Sequence, residues 1–305
     1  MNPARLSIIL GLLTSTLAQA DEGVSLRLKP ALAQPAAAAE SMPQAFDRGW
    51  TVQVEPAAWF VAPSGRLRLP VEGGGAIGDE VKFERLNLDS TRLRPAGEVH
   101  INAEEFRFSF AGSTTSVEQD SVTADSGFRL GGVDVASGDA FSVDLDLTSV
   151  ELSVGYLVYS RAFGSPEQNE IPGNATRSDL FVYLVGGARF YDVSLAFERF
   201  GGAGQRTAGA DEFFGEPMVG VRIEWEFARD FFLDAQVTGG ALPLDGHSVY
   251  SLDIVAGFQW RPVANVGVQI GYRQLAYWLS DGEDADEFSW EGRLAGLYAG
   301  VVLRF

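Results

Sequence analysis

Val219-Gly220-Val221-Arg222-Ile223-Glu224-Trp225-Glu226-Phe227 alternates without a break. Val219, Val221, Ile223, Trp225 and Phe227 take one face. Gly220, Arg222, Glu224 and Glu226 take the other. Successive side chains of a β-strand point to opposite faces, so a sustained period of two predicts a strand with one apolar side. What that side touches decides the fold. A soluble barrel or jelly roll would turn it inward, and a membrane barrel turns it toward lipid.

The same pattern fills the C-terminal half. Phe231, Leu233, Ala235 and Val237 oppose Phe232, Asp234, Gln236 and Thr238. Leu252, Ile254, Ala256, Phe258 and Trp260 oppose Asp253, Val255, Gly257, Gln259 and Arg261. Val266, Val268, Ile270 and Tyr272 oppose Gly267, Gln269, Gly271 and Arg273. Leu297, Ala299, Val301, Leu303 and Phe305 oppose Tyr298, Gly300, Val302 and Arg304. Upstream, Trp50, Val52 and Val54 alternate with Thr51, Gln53 and Glu55. Leu93, Val99 and Ile101 alternate with Arg92, Arg94, Glu98 and His100, and Phe106, Phe108 and Phe110 with Arg107, Ser109 and Ala111. In 140–160 the phase slips between Leu147 and Val150, which predicts a bulge. Residues 179–199 predict one long strand with a bend at Gly186-Gly187.

Three features turn the apolar faces toward lipid. Trp225, Phe227, Phe258 and Trp260 cluster near strand ends, where half-polar rings suit the water–bilayer boundary. The polar faces mix glycine with both charge signs, as in Gly220-x-Arg222-x-Glu224, which fits pairing across a narrow lumen. A luminal charge network is expected from Arg94, Glu98, Arg107, Arg222, Glu224, Glu226, Asp253, Arg273 and Arg304. The third feature is a strand that ends on Phe305.

That last strand, Tyr298-Ala299-Gly300-Val301-Val302-Leu303-Arg304-Phe305, resembles the closing strand of Gram-negative outer-membrane barrels, and the small monomeric OmpA-like and OmpW-like barrels are the nearest general comparison. The resemblance implies that Phe305, with Tyr298, Val301 and Leu303, forms the signal read by the barrel-assembly machinery. It also implies outer-membrane lipids and lipopolysaccharide as surroundings, and a monomer.

Connector lengths alternate. Asn102 to Glu104, Ala228 to Asp230 and Arg261 to Asn265 are short; Glu118 to Ala140, Phe200 to Phe213 and Ser280 to Phe288 are long and rich in glycine or acid. Outer-membrane barrels have short periplasmic turns and long external loops. The expectation is therefore an all-β fold, a closed antiparallel transmembrane β-barrel of about ten strands, with eight or twelve as alternatives. Arg161 to Ser178 is long yet falls on the periplasmic side. Residues 62–90 form either an extra hairpin or an inward plug.

Residues 1–20 predict an export signal: Arg5, an apolar stretch from Leu6 to Leu17, then Ala18-Gln19-Ala20 before Asp21. Residues 21–48, rich in alanine and proline, predict a periplasmic tether, and 49–305 the barrel. The sequence contains no cysteine, which excludes lipoprotein attachment, disulfides and thiolate chemistry. A net charge of −18 disfavours nucleic acid as a partner.

No catalytic site is expected. His247-Ser248 follows Leu244-Asp245-Gly246 in an external turn, but adjacent strand residues point to opposite faces, so the two do not form a dyad. Omptin-like proteases need paired acids and an Asp–His pair at the rim, and nothing in the sequence marks a pair. His100 lies on a polar face with Arg94 and Glu98. It has no histidine or cysteine near it in sequence, so a luminal hydrogen bond is expected there and no metal. The acidic run Asp281 to Glu287 is expected to be a solvated loop. Gly73-Gly74-Gly75 and Gly201-Gly202-Ala203-Gly204 are loops, because neither opens a helix after a buried strand. No cofactor is implied. The expected role is envelope-structural or surface interaction, with a narrow pore and a hydrolase as alternatives.

Overall fold

The computed structural model describes residues 50–71, 77–163, 178–201, 206–228, 230–263 and 265–305. The proposed signal (1–20) and tether (21–48) lie outside the described residues. Ten long strands make one antiparallel ring: β1 Thr51–Arg68, β2 Arg92–Ala103, β3 Phe106–Thr123, β4 Ala140–Phe163, β5 Ser178–Phe200, β6 Arg206–Ala228, β7 Phe231–Leu244, β8 His247–Val263, β9 Val266–Asp281 and β10 Phe288–Arg304. Each pairs with its neighbour in sequence, and β10 returns to β1 in the register Val54↔Leu303, Trp59↔Tyr298, Leu67↔Trp290. Phe305 completes the seam: its N–H donates to Val52 O at 2.8 Å, and Val52 N–H donates back to Phe305 O at 3.0 Å. Closure leaves no sheet edge, the condition for β-structure in hydrocarbon.

The apolar faces point outward. Val219 is 72% exposed and Leu297 59%, so the soluble alternative, which would bury them, does not hold. On β5 the outward apolar residues run from Leu180 to Phe190. Ten steps of about 3.3 Å, tilted by about 40°, span roughly 25 Å, the height of an outer-membrane apolar band. At the short-turn end Trp225, Phe227, Phe231 and Phe258 touch in a chain of rings 5.7 to 6.2 Å apart, with Trp260 exposed beside them. At the other edge Phe190 stacks on Phe213 at 6.1 Å, and Tyr250 and Trp278 are exposed.

Above that edge both faces invert. On β4 the odd residues from Phe141 to Gly155 point inward, and they change from Gly155, Ser153, Glu151 and Ser149 to Leu147, Leu145, Val143 and Phe141. The outward even residues change from Tyr156, Val154, Leu152 and Val150 to Thr148, Asp146, Asp144 and Ser142. The ladder runs through Thr148, Ser149 and Val150 without a register shift on either side. The phase slip in the sequence is therefore not a bulge. It marks where the wall leaves lipid for water. The irregularities of β4 and its neighbour β3 lie instead at Leu157/Tyr159 and Gln119/Val122. Gly186-Gly187 likewise passes through both ladders of β5 in register.

The same inversion lengthens the strands beyond expectation. The predicted loop 200–213 is mostly strand, because β6 starts at Arg206 with Ala208 and Ala210 packed against the core and Asp211 outward. A search for apolar-outward alternation passes over such residues.

Inside this upper wall two loops fold inward. Residues 62–90 do not form an extra hairpin of the ring. β1 continues to Arg68, and Leu69, Val71, Val81, Phe83, Leu86 and Leu88 are buried; a short helical turn, Phe83–Leu86, is closed by Asn87 in the left-handed region at φ 56°. From the loop after β3 come Ala124 and a small hairpin bearing Phe128, Leu130, Val133 and Val135. They pack with Val143, Leu145, Val193, Phe197, Phe214 and Trp290 into one apolar core. Phe128 meets Phe141 edge-on at 5.8 Å, and Phe83 lies 5.7 Å from Trp290. Backbone bonds tie the loops together: Asp79 N–H to Arg129 O at 2.9 Å, and Val71 N–H to Ala285 O at 2.8 Å.

Candidate functional site

Below the plug the lumen is polar, because the inward residues of the membrane-spanning segments carry the charges. Two networks form. Nearer the short turns, Arg222 Nη2 lies 2.8 Å from Asp234 Oδ2 and its Nη1 3.3 Å from Glu98 Oε1; Arg107 bonds Glu224, which also lies 3.3 Å from Arg222 Nε. Nearer the plug, fully buried Arg189 donates from Nη2 to Glu151 Oε2 at 2.8 Å and to Thr238 Oγ1 at 2.8 Å, and from Nη1 to Ser251 Oγ at 2.7 Å. Asp253 bridges Arg189, at 3.3 Å, and Arg273, at 2.6 Å. Tyr191 donates to Glu216 Oε1 at 3.0 Å.

The structure thus brings Glu98, Arg107, Arg222, Glu224, Asp253 and Arg273 together as inward residues. Glu226 and Arg304 are inward near the short turns, and Arg94 is inward on β2 with Nε and Nη2 buried and unpartnered. Sequence reasoning did not name Glu55, Glu151, Arg189, Glu216 or Asp234 for the network. Their alternation placed Glu55 and Asp234 on polar faces, but which polar residues meet across a barrel depends on strand stagger, which alternation does not carry.

Between the networks lies a cavity of about 70 Å³ bordered by Glu55, Glu98, Arg222, Asp234, Asp253 and Arg273. That is room for a handful of waters. Tyr298 also lines it. Its hydroxyl sits where a side chain on Gly257 or Gly271 would lie, so those glycines make room for the ring. Tyr298 therefore occupies the face opposite Val301, Leu303 and Phe305, which share the outward side of the closing strand.

At the outer rim, His247 Nδ1 lies 2.6 Å from Asp281 Oδ1, and Phe214 stacks on the imidazole at 5.1 Å. The sequence did not reveal this pair, because the two are cross-strand partners thirty-four residues apart. The β8–β9 register places the two opposite each other, at the end of β8 that follows the Asp245-Gly246 turn, with Gly246 at φ 68°. Ser248 points to the other face, into an outer cleft with Trp278 and Ser280. In the acidic run, Glu287 is held by Arg68 at 2.7 Å and accepts from Ser280 at 3.2 Å. Gly73-Gly74-Gly75 and residues 202–204 lie outside the described residues.

No protein-family model and no curated protein matches the sequence. Solved structures similar in shape are outer-membrane proteins. The outer membrane protease OmpT from Escherichia coli matches at TM-score 0.49 and 11% identity, over 84% of this chain and 97% of that one. Neisserial surface protein A matches at TM-score 0.33 and 15% identity, over 84% and 97%. The translocator domain of NalP from Neisseria meningitidis matches at TM-score 0.35 and 16% identity, over 84% and 88%. The membrane assignment rests on the ring closure, the apolar belt and the polar lumen, which together make this chain an integral outer-membrane β-barrel.

Proposed function

We propose that this barrel is a non-enzymatic envelope protein, with a structural or surface-interaction role, and not a conduit. One observation carries the reading: the outer half of the lumen is packed with an apolar core built from two inward loops. Ten strands leave little free lumen even without such a core, since about eight are filled by side chains alone. The strand walls that stand clear of lipid carry Glu118, Asp144, Asp146 and Asp211 outward, a polar surface suited to contact outside the cell. Lipid and lipopolysaccharide surround the belt. Val301, Leu303 and Phe305 serve as the face of the closing strand that the assembly machinery reads, and the protein acts as a monomer.

Planar-bilayer recording of the purified, refolded protein tests this. The reading expects no discrete channel openings. Stepwise conductance in the unaltered protein overturns it in favour of a pore.

A further inference from the structure

We propose that Glu55, Glu98 and His100 form a binding site for one divalent cation of the Zn²⁺ class in the lower lumen. The three come from adjacent strands β1 and β2, on which Glu55 and Glu98 are direct cross-strand partners and His100 sits opposite Gln53. Their ligand atoms all lie within 4.8 Å of one another. His100 Nε2 is 3.3 Å from Glu98 Oε2 and 3.6 Å from Glu55 Oε1. Ligands about 2.0–2.1 Å from a tetrahedral ion stand roughly 3.3 Å apart, so these spacings fit one ion between them.

An independent observation points the same way. His100 is 0% exposed, and its Nε2 makes no well-aligned hydrogen bond although it faces Glu98 at 3.3 Å and Glu55 at 3.6 Å. Its other nitrogen, Nδ1, lies 2.8 Å from Ser109 Oγ, the contact that fixes ring orientation in metal-bound histidines. Gln53 Nε2 donates to Glu55 Oε1, the oxygen that faces His100, and Arg222 holds the far oxygen of Glu98, so both carboxylates are fixed in place.

Charge balance adds a third argument. The cluster linked by direct contacts contains four carboxylates (Glu55, Glu98, Glu224, Asp234) and two guanidiniums (Arg107, Arg222). With a neutral imidazole these direct contacts leave an excess of negative charge, which a divalent ion would reduce. Arg261, whose guanidinium lies over the Phe232 ring at 3.3 Å, is attracted to Glu224, Glu226 and Glu55 without a direct ion pair and offsets part of that excess. Imidazole with two carboxylates suits Zn²⁺ and its first-row neighbours better than Mg²⁺ or Ca²⁺, which prefer all-oxygen shells. Glu55 and Glu98 also border the luminal cavity, which gives water room to complete the shell.

The test uses refolded full barrel in detergent, stripped with EDTA and titrated with Zn²⁺ by calorimetry, with Co²⁺ absorption as a second readout. The expected result is one equivalent bound, with the intense visible bands of low-coordinate Co²⁺. His100→Ala abolishes this. Glu55→Gln, which keeps volume and polarity, weakens it at least tenfold. His247→Ala leaves it unchanged. Heat-modifiable gel mobility confirms that each variant is folded. No saturable binding in the unaltered protein, or equal binding in folded His100→Ala, overturns the proposal. The former result would assign His100 to a plain ion-pair role with Glu98.

Discussion

Val150 and Phe190 face each other across β4 and β5, and both point away from the barrel axis. The next outward pair above them is Thr148 and Asp192. Within one pair the outer surface passes from hydrocarbon chemistry to water chemistry, and the lumen passes from Glu151 and Arg189, through Ser149 and Tyr191, to Leu147 and Val193. The backbone does not mark the change, since the strands continue and keep their register.

Arginine substitution on β4 should report this boundary. Val154→Arg, paired with Gly186 near the middle of the apolar belt, is expected to cost about 2–4 kcal/mol of unfolding free energy. Asp144→Arg, on the same face above the boundary, is expected to cost under about 1 kcal/mol. Urea unfolding in lipid vesicles, followed by tryptophan fluorescence, measures both.

The luminal network should be sensitive at its centre and tolerant at the rim. Arg189→Met leaves Glu151 and Asp253 buried without their shared partner, and such broken buried pairs cost about 3–5 kcal/mol. Arg66 is half-exposed and pairs with Glu80 at 3.0 Å and Glu291 at 2.5 Å. Arg66→Ala should be close to neutral, because exposed pairs are screened by water and salt. The same unfolding assay separates the two.

The plug should behave as a protein core. Phe141→Ala removes a ring packed on Phe128 and Phe197 and is expected to cost about 3–5 kcal/mol, as buried aromatic truncations do. Phe110→Ala, on the lipid side of β3, leaves no protein cavity and should cost less. If the two are equal in equilibrium unfolding, the upper lumen is not a packed core.

The rim pair of His247 and Asp281 is the geometry that most invites an enzymatic reading. The account assigns it a structural role, under Phe214 and beside the β7–β8 turn. Purified protein is therefore expected to show no peptide or lipid A cleavage that His247→Ala abolishes. A turnover rate that falls to background in that variant would contradict the non-enzymatic reading.

Much of the fold was legible because alternation is a local signal. Val219 to Phe227 declares both strand and faces, and the short turns after Ala103, Ala228 and Val263 order the strands. The rest depended on non-local facts. Ala208 and Ala210 alternate in a phase that belongs to water outside and apolar core inside, so a template with lipid outside passes over them. Leu86 and Phe128 sit in segments of mixed pattern, and only the ring shows that they fill it. Glu55 reaches His100 from forty-five residues away, a distance that a search for neighbouring ligands does not cover.

The most direct measurement exploits the absence of native cysteine. Single cysteines placed at Ser142, Asp144, Asp146, Val150, Leu152 and Val154 carry nitroxide labels in a vesicle-reconstituted barrel, and electron paramagnetic resonance compares collisions with oxygen and with a water-soluble nickel chelate. The account predicts nickel access at 142, 144 and 146 and oxygen access without nickel at 150, 152 and 154. Nickel access along the whole series, or no change between 146 and 150, would contradict it.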